Sequence, residues 1–417
     1  MCADRAPSKR LLLLIPTSTY RTEDFVEAAR RLDVDLVVAS ERDNAFAAEA
    51  PDHLLRLPFD DPGAAAARVS EYARARPIDA VVPVDDLTTV SGAAIAAALG
   101  LRANPIGAVQ ATRDKLEMRE RLARAGVRAP DFADFALTAD PREAARAVAY
   151  PCVLKPLVLS ASRGVIRADD PAQFVAAWAR IAAILAEPDV QALGPGARRI
   201  LVERFVPGVE VALEGLLDRG FLSTLALFDK PDPLDGPFFE ETIYVTPSRL
   251  PAMAHAAVVE CAARAARALG LDDGPVHAEL RLDAAGVAWL IEIAARSIGG
   301  LCSRTLSFGT GMSLEEIILR HALDLPIASL ERERRAAGVM MIPIPGGGVL
   351  RAVDGLDDAR AVPGIEAVTI SIPVGQAVVP LPEGARYLGF IFSRAAEPGA
   401  AEAALREAHA RLRFSIG

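Results

Sequence analysis

The residues best placed for chemistry are Glu279 and Glu292, one in each of two apolar runs, 276–282 and 287–293, with Asp283-Ala284-Ala285-Gly286 between them. Two β-like runs around such a turn predict a hairpin. A four-residue turn sets Leu282 opposite Val287, Glu279 opposite Leu290 and His277 opposite Glu292. Side chains alternate between faces along a strand, so His277, Glu279 and Arg281 share a face with Ala288, Leu290, Glu292 and Ala294. The two glutamates are then diagonal neighbours, roughly 7–8 Å apart at the backbone. A three-residue turn would send them to opposite faces. Like charges side by side on an apolar hairpin repel unless something neutralises them. Magnesium does so, as a hard cation that takes few carboxylates and fills its remaining positions with water and phosphate oxygens. A solvated sheet face whose acids pair with Arg281 or Arg296 accounts for the hairpin alone equally well.

The continuation favours the metal. In Ala294-Ala295-Arg296-Ser297-Ile298-Gly299-Gly300, Arg296 keeps the parity of Glu292 if the strand persists. Its guanidinium would then lie near metal-bound phosphates and stabilise charge during transfer. Gly299 and Gly300 allow the backbone to approach an anionic group closely. Upstream, Lys155 follows Pro-Cys-Val-Leu and precedes Pro156; on an edge strand it calls for an anionic partner such as phosphate. Lys115, at a helix start, reads by itself as solvated. The small-residue segment Ser160-Ala161-Ser162-Arg163-Gly164 can close over an anion with its backbone N–H groups.

The elements that must position these residues alternate in type. Strands are predicted at 11–15, 36–39 and 80–83, and helices at 22–31, 64–74 and 91–99. Such alternation predicts a doubly wound parallel α/β sheet. Thr17, Ser18, Asp85 and Asp86 fall at its ligand-binding edge. Asn104-Pro105 marks a boundary, and 114–125 is a helix. Strands follow at 153–155, 200–205, 210–217 and 222–227, with helices at 172–186, 254–269 and 313–321. Residues 228–250 read as one long irregular stretch, of the kind that is usually functional or mobile. The chain is β-rich from about Gly338 and ends in a helix at 400–412.

At 417 residues, two or three domains are expected. The net charge of −9, without a dense basic stripe, argues against a nucleic-acid partner. Cys2, Cys152, Cys261 and Cys302 lack metal-ligand spacing and read as free thiols of a reducing cytoplasm. The run 11–15 ends at Pro16, too short for a signal sequence, and no stretch reaches transmembrane length, so no membrane association is expected. Neither a G-x-G-x-x-G after the first strand nor a Walker A motif is present, which disfavours a nicotinamide oxidoreductase.

Five ordered segments resemble the ATP-grasp superfamily: 113–115 (Arg-Asp-Lys), 153–156 (Val-Leu-Lys-Pro), 202–210, 277–279 (His-Ala-Glu) and 291–296 (Ile-Glu-Ile-Ala-Ala-Arg). The resemblance implies an N-terminal α/β domain (1–105), a two-lobed ATP-grasp domain (106–330) and a β-rich C-terminal domain (331–417). It implies that Lys115 and Lys155 contact ATP phosphates and that Ser160, Ser162 and Gly164 belong to the covering loop. Glu203, Arg204, Phe205 and Val206 would form the hinge that holds adenine through backbone groups, and Glu210 would accept from the ribose. Glu279 and Glu292 would hold magnesium, two ions with manganese able to substitute. The family often has Asn where this chain has Ala294, which puts the second ion's coordination in question. The pattern is most like dipeptide-forming amino-acid ligases and carnosine-synthase-like enzymes, through His277, the run after Glu292, the 229–233 loop and the 386–392 segment. On that basis Ser297, Gly299, Gly300 and Lys230 are expected to touch substrate.

The implied reaction joins a small-molecule carboxylate to an amine through an acyl phosphate, releasing ADP and phosphate. The protein's work is positioning and charge neutralisation. Arg296 would stabilise the acyl phosphate, and His277 would act as a base or, with more weight, orient substrate or Glu292. Closure of 160–164 and of the 228–246 loop would exclude water. His255, His321 and His409 read as surface or packing residues. The alternatives are purine-precursor carboxylation or formyl transfer on the same fold, and a non-catalytic ATP sensor. The Met-Lys-Met of a biotin carrier is absent. A homodimer is expected by analogy.

Overall fold

The computed structural model describes residues 8–43, 50 and 52–417, and Cys2 lies outside them. The first apolar run forms β1 (Arg10–Leu14), in which Leu11 to Leu14 are fully buried. Burial on both faces is what a central parallel strand requires. It pairs in parallel with β2 (Asp35–Ser40) and, on the other side, β4 (Ala80–Pro83), and β3 (Leu54–Arg56) extends the sheet beyond β2. The last helix of this unit begins at Asp86 rather than at 91 and runs to Leu99, where Gly100 at φ 67 ends it. Thr88 and Thr89 disguise its first turn, yet both hydroxyls donate back to carbonyls, of Asp85 and Asp86. Asp85 and Asp86 therefore sit where strand hands over to helix.

A small lobe follows: β5 (Phe132–Ala136), β6 (Cys152–Pro156), β7 (Ile166–Ala168) and β8 (Arg199–Arg204), antiparallel in the order β5-β8-β6-β7. The helix Pro171–Leu185 covers it with Phe174, Trp178, Ile181 and Leu185, spaced along one helical stripe. Asp170 caps that helix by accepting from the N–H groups of Ala172 and Gln173. Because β6 is flanked on both sides, Lys155 is not on an edge strand, a correction to the sequence reading.

The rest of the chain supplies β9 (Val209–Asp218), β10 (Phe221–Asp229), β11 (Ile243–Thr246), β12 (Gly274–Leu282), β13 (Ala288–Ala294), β14 (Ala336–Ile342), β15 (Gly348–Asp354), β16 (Ile365–Ile370), β17 (Ala377–Val378), β18 (Gly389–Ala395) and β19 (Arg413–Ile416). Eight of these form one sheet, β13-β12-β9-β10-β11-β14-β18-β16, and β15, β17 and β19 form a small second one. The stretch 228–250 is thus not irregular throughout. The run Ile243-Tyr244-Val245-Thr246, rich in β-branched and aromatic residues, is the strand that joins β10 to β14 and carries the sheet across residue 331. The largest apolar core draws on the N-terminal sheet (Leu13), the helix Thr22–Arg31 (Phe25), the helix Leu314–Ala322 (Ile317) and the C-terminal strands (Met341, Phe390). Among the described residues no helix is long and apolar enough to cross a membrane.

Candidate active site

The hairpin brings its two acids together by a different route from the one the turn predicts. Its loop has five residues, closed by Asp283 N–H donating to the Val287 carbonyl, so Leu282 pairs with Ala288. Regular pairing would then put Ile291 opposite Glu279 and point Glu292 into the apolar core. A β-bulge between Leu290 and Glu292 cancels the shift. Glu279 and Glu292 are direct partners rather than diagonal ones, and His277 opposes Ala294 rather than Glu292. Leu290 and Ile293 stay in the core, while Ile291 and Glu292 both face the cavity.

That cavity, about 830 Å³, lies where the N-terminal sheet, the small lobe, the large sheet and the segment 385–387 meet. The expected phosphate lysines line it from two elements. Asp114 caps the helix Lys115–Arg124 by accepting from the N–H groups of Leu116 and Glu117, which fixes Lys115 at its first position. The Lys115 ammonium donates to the Leu159 carbonyl at 2.8 Å and lies 3.5 Å from Glu292, so this lysine is tethered rather than solvated. Lys155 is 2.7 Å from Glu203, and Arg119 is 2.7 Å from the other Glu203 oxygen. Burial pushes the Glu203 carboxyl up, but Arg119 and then Lys155 outweigh it and hold the pKa at about 2. Arg204, Phe205 and Val206 continue this wall.

The other acids form a dense ionic cluster. Glu210, Glu241 and Glu279 bring oxygens within 4.8 Å of one another, with the Lys230 ammonium among them, 2.9 Å from Glu210 and 3.6 Å from Glu279. Burial raises the Glu279 carboxyl, and Lys230, then His277, more than reverse this and hold it well below the usual range. Burial dominates at Glu241, which is raised. The Tyr244 hydroxyl donates to Glu241 at 2.7 Å. Opposite, Arg296 donates to Asp86 at 3.0 Å, and Arg113 lies 3.3 Å from the same carboxylate. Burial pushes Asp86 up, but Arg296 and Arg113 hold it far below the usual range.

The predicted nucleotide, metal and catalytic residues all line the cavity except Gly164. Gly164 shapes the 160–164 loop instead: its φ is +74, a Cβ there would come within 2.7 Å of Pro156, and its N–H donates to the Pro382 carbonyl. Of the expected substrate residues, Gly299 and Gly300 line the cavity, whereas Ser297 and Lys230 do not. Ser297 turns away and accepts from Arg21 at 2.8 Å, and Lys230 is a buried counter-ion. His321 is buried against Asp273 and Arg102, a packing role, while His255 and His409 are half-buried. Sequence reasoning missed Arg119, Glu214 and Glu241. Arg119 and Glu214 carry no local signal, and Glu241 was hidden in the stretch taken as irregular. Cys152, Cys261 and Cys302 are buried free thiols.

Three family models match successive parts of the chain: ATP-grasp N-terminal domain at 26–102, ATP-grasp domain at 148–305, and L-amino acid ligase C-terminal domain 2 at 340–417. The crystal structure of an L-amino acid ligase from Bacillus licheniformis superimposes with a TM-score of 0.83 at 28% identity, covering 99% of this chain and 100% of that one. Alanine–anticapsin ligase of Bacillus subtilis is 29% identical over 61% of this chain and 57% of its own length. Carnosine synthase 1 of Gallus gallus is 31% identical over 83% of this chain and 39% of its own length. The chain thus spans 57% and 39% of the length of these two curated relatives.

Proposed function

Because the chain belongs to the ATP-grasp superfamily, we propose that it is an ATP-dependent ligase that forms an amide, or peptide, bond between a carboxylate, an amino acid in the first instance, and an amine. One observation carries this: Glu279 and Glu292 are opposed on a cavity wall within reach of Lys115 and facing Arg296. Oxygen-only donors suit a hard cation. Among the described residues Glu292 has a single ion-pair partner, Lys115 at 3.5 Å, which leaves its carboxylate open to an ion. Bound magnesium would offset the charge of the transferred phosphoryl group.

Lys115 and Lys155 hold the phosphates, and the loop 160–164 covers them. Phe205, Val206 and Ile291 wall the adenine, and Glu210 lies in reach of the ribose. Arg296, kept in place by Asp86, faces the acyl phosphate formed when the carboxylate oxygen attacks the γ-phosphorus and ADP leaves. The neutral amine then attacks the acyl carbon, phosphate leaves, and the amine's proton passes to solvent or to a nearby carboxylate. Gly299 and Gly300 let the carboxylate approach. A cytoplasmic location, a homodimer and two magnesium ions, with manganese as substitute, belong to the same reading. Ala294 offers no donor to the second ion.

Phosphate release screened over pairs of amino acids and amines tests the reading. Glu279→Gln and Glu292→Gln should each lower turnover at least roughly 100-fold, as expected where charge stabilisation at the transferring group is lost, and Glu292→Gln, whose half-buried carboxylate has one ion-pair partner at 3.5 Å, should do so with an unchanged melting temperature. Full turnover in both variants would sink the metal assignment.

A further inference from the structure

Glu214 is fully buried on β9, in a row with Ala212 and Leu216, both members of the largest apolar core. An acid there is costly unless its oxygens are used. One of them is used twice. Glu214 Oε2 accepts from the Ile298 N–H at 3.0 Å and lies 3.2 Å from His277 Nδ1. The far side of that ring, Nε2, lies 3.6 Å from Glu279 Oε1. Ile298 precedes Gly299 and Gly300 on the cavity wall. The residue before it, Ser297, is gripped from the N-terminal unit by Arg21, which also donates to the Val84 carbonyl and pairs with Glu315 at 3.3 Å. One carboxylate oxygen therefore ties together the glycine segment and, through a single imidazole, a proposed metal ligand.

We propose that Glu214 is a positioning residue that sets the substrate segment 298–300 and the Glu279 carboxylate in register with each other. The proposal rests on the ligase reading above. Glu214 touches neither ion nor substrate; it fixes the ring plane of His277 and the backbone of Ile298, and both contacts depend on the same atom. Groups in direct contact with a metal ligand typically alter metal affinity roughly 10–100-fold when removed, and Glu214 stands one contact further out, behind His277.

The test is Mn2+ binding, followed by its paramagnetic resonance signal in the presence of a non-hydrolysable ATP analogue, together with separate KM and kcat values for the carboxylate. Glu214→Leu, which suits the surrounding core, should weaken Mn2+ binding roughly tenfold or more and raise the carboxylate KM. Glu214→Gln keeps one oxygen for the Ile298 N–H and should fall between Leu and the unsubstituted protein. Combining Glu214→Leu with His277→Leu should weaken Mn2+ no further than the worse single substitution, because both cut one chain of contacts. If Glu214→Leu shifts only the melting temperature, leaving Mn2+ affinity and KM alone, the residue is merely structural and the proposal is overturned. Should Glu214→Leu fail to fold, unchanged values in Glu214→Gln overturn it equally. Absence of Mn2+–nucleotide binding in the unsubstituted protein removes the ligase reading itself, a result distinct from normal binding that the Glu214 substitutions leave untouched.

Discussion

At the scale of single residues the site is governed by shared counter-ions. Glu203 was expected to matter through its backbone at the hinge, yet its side chain lies between Arg119 and Lys155, all three nearly out of contact with water. Each cation thereby has a counter-ion within the protein, and Lys155 is held at the cavity rather than folded away. The sequence shows Lys155 on its strand but not this partnership, because Arg119 lies 84 positions from Glu203 and no local pattern links them. The carboxyl moves from an ordinary 4.5 to about 2 on folding. A depressed pKa contributes stability that is complete above about pH 4.5 and drains away as pH falls toward 2, of the order of 3 kcal/mol at 1.36 kcal/mol per pH unit. Glu203→Gln should lower stability at pH 7 by about 3–5 kcal/mol, since two buried cations lose their partner. At pH 3 the gap to the unsubstituted protein should narrow. Melting curves at both values check this, and an equal gap at pH 7 and pH 3 would rule out the ion triad as its source.

At the scale of elements, most of the fold was legible because it is written in local patterns. The helix Thr22–Arg31 and strand β4 fall where periodicity and flanking residues put them. The hairpin that carries Glu279 and Glu292 shows where that reading stops. Alternation correctly put Glu279 and Glu292 on one face, but through a regular four-residue turn. The real loop takes in Val287, whose apolar side chain reads as strand, and the error this causes is undone by the bulge. The trace was in the pattern: Ala288, Leu290 and Ile293 are all core residues, a spacing of two and then three that no regular strand gives. The bulge presents Ile291 and Glu292 to the cavity in succession, one at the proposed base wall and one at the proposed ion site. Deleting Ile291 should straighten β13, an edge strand of its sheet, and leave Glu292 opposite Glu279. Mn2+ affinity should then stay within roughly threefold, about 0.6 kcal/mol, while the KM for ATP rises with the loss of an apolar wall. Loss of Mn2+ binding in this deletion would show that the bulge itself aims Glu292.

At the scale of the whole molecule, alternation in the sequence shows the α/β start and the β-rich end but not that the central and C-terminal strands share one sheet, because the β11–β14 pairing joins strands distant in the chain. The consequence is mechanical. The large sheet and the N-terminal unit share a core, whereas the small lobe has its own, built on Phe174, Trp178 and Ile181. A lobe with a separate core is the part free to hinge. It is latched shut by polar contacts: Arg163 donates to the Glu383 carbonyl at 2.8 Å, the Gly164 N–H donates to the Pro382 carbonyl, and Arg180 pairs with the Glu383 carboxylate. The Arg180–Glu383 pair is well exposed, with side chains 44% and 36% accessible. Such contacts are worth about 1 kcal/mol each at most. Removing both arginines should therefore raise the open population roughly tenfold, since 1.4 kcal/mol is a factor of ten. An acyl phosphate exposed to water is hydrolysed rather than captured by the amine. On the proposed reaction, the Arg163→Ala/Arg180→Ala double variant should accordingly release more phosphate than it forms amide, where the unsubstituted protein should keep the two near equality. Proteolysis within the covering loop should accelerate in parallel, because the loop then spends more time detached from the 382–383 segment. A phosphate-to-amide ratio that stays near one, with no faster cleavage, would mean that nucleotide contacts rather than this latch hold the lobe closed.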